Sequence, residues 1–247
     1  MTSKRLMLIA FIGLLVILPG VACTTTYNVY PVITKASDED ATPLELYLKI
    51  ALPTVLVRAE TGTGSGVVFS DGSLVLTAAH VVSHTLTQTD DNGIPYDVQV
   101  VEPVAVLKNE GLVPFLSGAQ VIKINFDLDL AVLKLARVYP YAKAKFASND
   151  PDLYQKCWAS GHPHGVTDPI VTEGRVQDLW DFGFIRYSSQ TTFGNSGGPI
   201  WIRSGKEFLV SSVIQRVHVE GMGVAVTHLG LGALPSHVRD FVKEYGN

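Results

Sequence analysis

Cysteine is nearly absent: the 247 residues hold only Cys23 and Cys157. A small fold stapled by disulfides is thereby excluded, since such scaffolds need several paired cysteines. Charge is also sparse, at 17% of residues, with 19 Lys and Arg against 23 Asp and Glu. No segment gathers basic side chains into a stripe, so the electrostatic footprint of a nucleic-acid binder is missing. No sequence period repeats, which argues against a propeller or solenoid. Nor does any apolar run reach the roughly 20 residues that a helix needs to cross a bilayer. What the chain does have is 47% hydrophobic residues, ample for a packed core and too many for general disorder.

The apolar excess that lifts mean hydropathy to +0.24 begins at the N-terminus. Lys4 and Arg5 precede the run from Leu6 to Leu18, and Pro19-Gly20-Val21-Ala22 leads to Cys23. A charged start, a short apolar middle and small residues before a cut site make a secretory leader. Residues 1–22 are therefore expected to be an export signal. A cysteine placed just there resembles the lipobox of bacterial lipoproteins, although Gly20 stands where that box usually has Leu. The resemblance implies lipidation of Cys23 and a membrane-tethered protein of the cell envelope; plain secretion after Ala22, or an uncleaved anchor, is the alternative. Losing Lys4 and Arg5 with no acid takes the net charge from −4 to −6. Residues 23–42, with Thr24-Thr25-Thr26 and Asp38-Glu39-Asp40, read as a polar tether. Cys157 is then left without a partner, so the fold must stand without a disulfide.

From residue 43 to 247 the pattern is that of one domain. Pro43 to Leu52 fit a short helix that stops before Pro53. Short apolar runs follow, broken by Gly, Asp, Asn and Pro: Thr54–Ala59, Gly66–Ser70, Leu74–Leu76, Val98–Val101, Val104–Leu107, Ala119–Ile124, Leu128–Leu135, Ile170–Val176, Phe208–Val213 and Met222–Thr227. Many short strands at such spacing predict an all-β barrel or sandwich. The last stretch, residues 235–244, predicts a helix capped by Ser236, with Val238, Phe241 and Val242 on its buried face.

Three segments carry chemistry: Leu76-Thr77-Ala78-Ala79-His80, Asp127-Leu128-Asp129-Leu130-Ala131-Val132-Leu133, and Gly194-Asn195-Ser196-Gly197-Gly198-Pro199. Singly, the histidine is a surface or core residue and the acid a turn residue. The glycine-rich run says more, because glycines around a serine let backbone N–H groups converge on one point, as an oxyanion site requires.

Together, in the order His, Asp, Ser, the three segments resemble the trypsin-like serine proteases, most of all the bacterial Deg/HtrA type. Gly64-Ser65-Gly66-Val67-Val68 and Ala159-Ser160-Gly161-His162-Pro163-His164-Gly165 add to the likeness. The resemblance implies a chymotrypsin-like fold of two six-stranded antiparallel β-barrels with a C-terminal helix. Barrel one would run from about 53 to 140, barrel two from about 152 to 231. It implies a serine endopeptidase acting on protein or peptide substrates through an acyl-enzyme: Ser196 as nucleophile, His80 as general base and Asp129 orienting the imidazole. Asp127 and Asp129, two residues apart, are expected on the same face of a strand; the family pattern selects the acid directly before Leu-Ala-Val-Leu, Asp129, and leaves Asp127 as a solvated turn residue. The backbone N–H groups of Gly194 and Ser196 would form the oxyanion hole, with Asn195 between them as a helper. Asn195 stands where digestive proteases have the aspartate that pairs with a new N-terminus, so activation of that kind is not expected. By the same analogy Gln190, Thr191 and Thr192, with Val213, Ile214 and Gln215, wall the primary pocket. No acid lies in that wall, so small or medium apolar residues are expected there, unless Arg216 intrudes. Deg/HtrA-type enzymes usually continue into a PDZ domain; the chain stops at Asn247, so the likeness is expected to cover a protease domain alone. The oligomeric state is left open.

Rival readings are weaker. Gly-Asn-Ser-Gly-Gly also fits the nucleophile elbow of α/β-hydrolases, but the only aspartate after Ser196 is Asp240, which follows the last histidine. Cys157, beside Trp158, reads as a buried structural thiol. His162 with His164, or His80 with His84, makes a poor metal site without a cysteine or carboxylate cluster, so neither metal nor cofactor is expected. A non-catalytic or latent protease-fold binding protein at the envelope would be signalled by a lost triad residue, and none is lost.

Overall fold

Short apolar runs punctuated by turn residues fold as antiparallel strands, and the strands close into two barrels of six. The computed structural model describes residues 40–109, 114–180, 183–220 and 224–246. The leader, Cys23 and the tether up to residue 39 lie outside the described residues.

Helix α1 (Pro43–Leu46) starts where the sequence places it, because Thr42 and Glu45 form a reciprocal cap. The Glu45 N–H donates to the Thr42 hydroxyl at 3.2 Å and the Thr42 N–H to the Glu45 carboxylate at 2.9 Å. The helix passes into a π-helical turn, Tyr47–Ala51, ahead of Pro53. Barrel one is built from β1 (Thr54–Arg58), β2 (Thr63–Phe69), β3 (Leu74–Thr77), β6 (Val104–Lys108), β7 (Phe115–Asn125) and β8 (Leu130–Leu135). Its order is β1-β2-β3-β8-β7-β6, closed by pairing of β6 with β1. Between β3 and β6, β4 (Ser83–Thr89) and β5 (Pro95–Val101) form a two-stranded ribbon outside the barrel. Barrel two comprises β9 (Lys156–Gly161), β10 (Ile170–Trp180), β11 (Phe184–Tyr187), β12 (Pro199–Ser204), β13 (Glu207–Glu220) and β14 (Val224–Ala233), in the order β10-β11-β14-β13-β12-β9.

Three apolar clusters explain why several strands read as continuous apolar runs. Val68 and Val75, with Ala131 and Leu133, fill barrel one; Cys157, Ile185, Ile200 and Ile214 fill barrel two. The alternate residues of the same strands, Val67, Phe69, Leu76, Leu130 and Val132, face outward onto Trp158, Trp201, Phe208 and Val213. Strands buried on both faces lose their alternation. Each fully buried side chain of this size contributes roughly 1.5–3 kcal/mol, so the shared layer holds the barrels in one register. Helix α2 (Pro235–Val242) closes that layer with Val238, Phe241 and Val242.

Two local expectations are corrected. Helix α2 is entered from Leu234 with Pro235 in its first turn and no side-chain cap, so Ser236 lies inside the helix; the proline's fixed φ starts it without a hydroxyl. The segment Asp127-Leu128-Asp129 is a turn, and β8 begins only at Leu130. The Asn125 side chain accepts the Leu128 N–H at 2.9 Å and bends the chain before the strand. Asp127 and Asp129 therefore do not share a strand face.

Candidate active site

The first functional side chain is set by small residues at the end of β3. Ala78 and Ala79 are buried and let the chain tighten into a 3₁₀ turn, Ala79–Val81, that turns His80 outward. Its imidazole Nδ1 lies 2.7 Å from Asp129 Oδ2, while its backbone N–H donates to Oδ1 at 2.9 Å. Both carboxylate oxygens thus engage one residue, which fixes position and tautomer together. Asp129 adopts φ of +49°, a left-handed conformation that aspartate tolerates better than most residues. The turn is held from the other barrel, where Gln215 Nε2 donates to the carbonyls of Leu128 at 2.5 Å and Asp129 at 3.1 Å.

Ser196 sits in a turn whose shape depends on glycine. Gly194 and Gly197 have φ of +92° and +82°. A Cβ on Gly197 would come within 2.1 Å of Thr77 Oγ1 and 2.2 Å of the Ser65 carbonyl. The turn is strapped to barrel two by the Gly197 N–H on the Ile214 carbonyl at 2.7 Å, and to barrel one by the Ser65 N–H on the Ser196 carbonyl at 2.7 Å. The buried Ser65 hydroxyl accepts the His162 N–H and donates to the Gly194 carbonyl, both at 2.8 Å. Gly64 lies between Val81, next to His80, and the Ser196 carbonyl, with no room for a Cβ against either. The His80 turn and the Ser196 turn therefore both pack against Gly64 of β2.

The Phe193 carbonyl accepts the His164 N–H at 2.8 Å. In a trans peptide C=O and N–H point opposite ways, so the Gly194 N–H is turned away from the 162–165 loop. Among the described residues neither the Gly194 nor the Ser196 N–H has a backbone acceptor. Asn195 does not fit the helper role read from the sequence. Its N–H is taken by the Thr192 carbonyl at 3.1 Å and its side chain reaches Thr191 at 3.2 Å.

The pocket residues divide. Gln190 is exposed, Thr192 half-buried, and Thr191 buried with its N–H on the Thr227 carbonyl. Val213 and Ile214 do not line a pocket: they are 0% and 2% exposed and belong to core clusters. The strand that carries them is covered on both faces at that point. Gln215 serves instead as the clamp on the Asp129 turn.

Around His80 the structure adds groups the motifs did not indicate. A cleft of about 450 Å³ borders His80, Asp129, Phe126, the ribbon, Gln215 and Arg216. His84 also faces it, with Nδ1 2.6 Å from Glu102. Burial opposes ionisation of Glu102, but hydrogen bonds from the Thr61 hydroxyl and N–H and from His84 outweigh it and hold its pKa at about 2. His162 is wholly buried, donates from Nδ1 to the Val166 carbonyl at 2.9 Å, and has its pKa lowered by burial to about 4. Burial pushes the Cys157 thiol up to about 11, which leaves little reactive thiolate. Among the described residues no three or more His, Cys, Asp or Glu side chains are grouped to hold a metal ion.

A model of the family described as trypsin-like peptidase domain matches residues 64–208, more than half of the chain. The chain is 28% identical over 158 residues to Protease Do-like 8, chloroplastic, of Arabidopsis thaliana, covering 60% of this chain and 34% of that protein. It is 28% identical over 155 residues to Serine protease HTRA1 of Xenopus laevis, covering 60% and 31%. The chain thus spans about a third of the length of these curated relatives. Among solved structures, it is similar to a serine endoprotease from Yersinia pestis, with TM-score 0.63, 19% identity, and coverage of 83% of this chain and 67% of that one. It is also similar to the MamO protease domain from Magnetospirillum magneticum, with TM-score 0.60, 18% identity, and coverage of 79% and 98%. At that identity the two structures share the fold.

Proposed function

Because the chain belongs to the trypsin-like peptidase family, we propose that it is a serine endopeptidase hydrolysing peptide bonds of protein substrates. The observation that carries this reading is the double engagement of Asp129 by His80. It keeps the ring proton on Nδ1 and leaves the Nε2 lone pair to act as a base. Ser196 Oγ attacks the scissile carbonyl carbon as its proton passes to His80 Nε2, and the carbonyl oxygen becomes an oxyanion. The N–H groups of Gly194 and Ser196 receive that charge, each donor worth roughly 3–4 kcal/mol at the transition state. His80 then gives its proton to the leaving amine, and an acyl-enzyme on Ser196 remains. Water, deprotonated by His80, adds to the ester; collapse releases the acid and returns the proton to Ser196. Asp129 holds the ring in place throughout and stabilises the imidazolium.

The test is labelling of the purified chain with a fluorophosphonate, the modified residue being mapped by mass spectrometry. The reagent requires an activated serine and an oxyanion site but no knowledge of the substrate. Labelling confined to Ser196, lost in His80→Ala and Ser196→Ala together with peptide hydrolysis, is the expected result. A folded protein that takes no label sinks the peptidase reading in favour of a binding or latent protein on the same fold. We propose further that residues 1–22 direct export and that Cys23 carries the lipid. Incorporation of labelled fatty acid that persists in Cys23→Ala would overturn the second point.

A further inference from the structure

The cleft beside His80 holds a cation that no carboxylate among the described residues engages. Two carboxylates border it or lie behind it, and both are already engaged. Asp129 holds the His80 N–H and imidazole, while Glu102 is 6% exposed and bonded to His84 and Thr61. Arg216 is different. It is exposed, lies on β13 just beyond the Gln215 clamp, and has no carboxylate partner among the described residues. Its guanidinium stands over the Phe184 ring at 4.9 Å. The cation–π contact holds the side chain in place, and a guanidinium's N–H fork suits a carboxylate. Phe126, 44% exposed, also borders the cleft and offers apolar surface to methylene groups.

We infer that this cleft selects an acidic side chain, aspartate or glutamate, from a substrate residue close to the scissile bond, with Arg216 as its counter-ion. The position follows from His80, which borders both the cleft and the proposed bond-breaking site. An extended chain advances only about 3.3 Å per residue, so a side chain in this cleft belongs within about three residues of the cut. The inference rests on the peptidase reading, since that reading defines the bond from which the position is counted.

The test is digestion of a mixed library of protein-derived peptides by the purified chain, with cleavage sites mapped by mass spectrometry. Acidic residues should be enriched at one position within three of the cut. Arg216→Ala should reduce that selection roughly tenfold, the loss of about one charge-assisted hydrogen bond. Arg216→Glu should move the preference toward Lys and Arg at the same position. Because Arg216 is exposed, both variants should keep the wild-type circular dichroism. Cleavage without acidic enrichment, or enrichment that survives Arg216→Ala, overturns the inference and leaves the peptidase reading intact. A chain that takes fluorophosphonate but cuts no acidic peptide in the library also overturns it. A chain that neither cuts nor labels fails at the earlier reading, and the inference falls with it.

Discussion

Replacing Ser65 with alanine tests whether the nucleophile turn is held by the neighbouring barrel. The Ser65 hydroxyl is buried, accepts the His162 N–H and donates to the Gly194 carbonyl. Removing it strands two backbone groups away from water. Each such orphan costs about 1–3 kcal/mol, so the expected loss of stability is about 3 kcal/mol in urea unfolding. The functional effect is separate and larger in kind. Gly194 is pinned on one side through the Phe193 carbonyl and on the other through its own carbonyl on Ser65. With the second pin gone, the peptide that presents the oxyanion donor is free to turn. Loss of a full donor costs about a hundredfold or more, so a partial loss should slow fluorophosphonate labelling of Ser196 by roughly tenfold to a hundredfold. Ser117→Ala is the control. Its hydroxyl is equally buried and also links a backbone N–H, that of Arg137, to a carbonyl, that of Gly118, but far from Ser196 in sequence and on another strand. It should lower stability and leave the labelling rate alone. Wild-type labelling in Ser65→Ala, once the protein is confirmed folded at the assay temperature, would refute the reasoning.

Gly197→Ala should be more disruptive still: φ is +82° and the new Cβ would sit 2.1 Å from Thr77 Oγ1. A loss of about 3 kcal/mol or more, or failure to fold, is expected in thermal unfolding, and a variant within 1 kcal/mol of wild type would contradict the packing described. His162 predicts an acid-sensitive stability. Its folded pKa of about 4 lies below the ordinary 6.5, so between those values the unfolded chain takes up a proton that the folded chain refuses. The contribution is complete above pH 6.5, falls by about 1.4 kcal/mol per unit as pH drops, and is exhausted near pH 4. Urea unfolding at pH 7 and pH 5 should differ by about 2 kcal/mol more in the wild type than in His162→Asn; equal differences would remove His162 as the cause.

Legibility followed local chemistry. The turn around Ser196 can be read from sequence because left-handed backbone at Gly194 and Gly197 demands glycine there. The turn before β8 cannot, since the apolar run read from Leu128 gives no sign that the Asn125 side chain bends the chain and delays the strand to Leu130. Strand β2 was legible over Val67–Phe69, where both its faces make apolar contacts. The ribbon strand β4, Ser83–Thr89, was not: almost every residue beyond His84 is exposed, so no buried face imposes a pattern. Strand β9 was hidden by Lys156, whose buried ammonium is held by Asp40 at 2.7 Å and Glu173 at 3.4 Å. Val213 and Ile214 were misplaced in a pocket because sequence position near a cleft does not say which residues a second sheet covers. The Gln215 clamp and the Ser65 pivot join residues far apart in the chain, and nothing local to either residue signals its partner.

Those two contacts also say why the barrels act as one device. Gln215 belongs to barrel two and fixes the carbonyls of Leu128 and Asp129 in barrel one. Ser65 belongs to barrel one and fixes the carbonyls of Gly194 and Ser196 in barrel two. Each barrel therefore shapes the functional turn that the other contributes, and neither turn is finished by its own barrel. The apolar layer between them, from Phe69 and Leu76 to Trp158 and Trp201, sets the distance over which these hydrogen bonds can form. A shift of the layer would stretch both clamps at once, because both cross from one barrel to the other. Mutations deep in that layer, with no contact to His80 or Ser196, are accordingly expected to act on the site through geometry rather than through chemistry. The coupling runs both ways: the polar clamps also reject any sliding of one barrel on the other that the apolar layer alone, being non-directional, would tolerate.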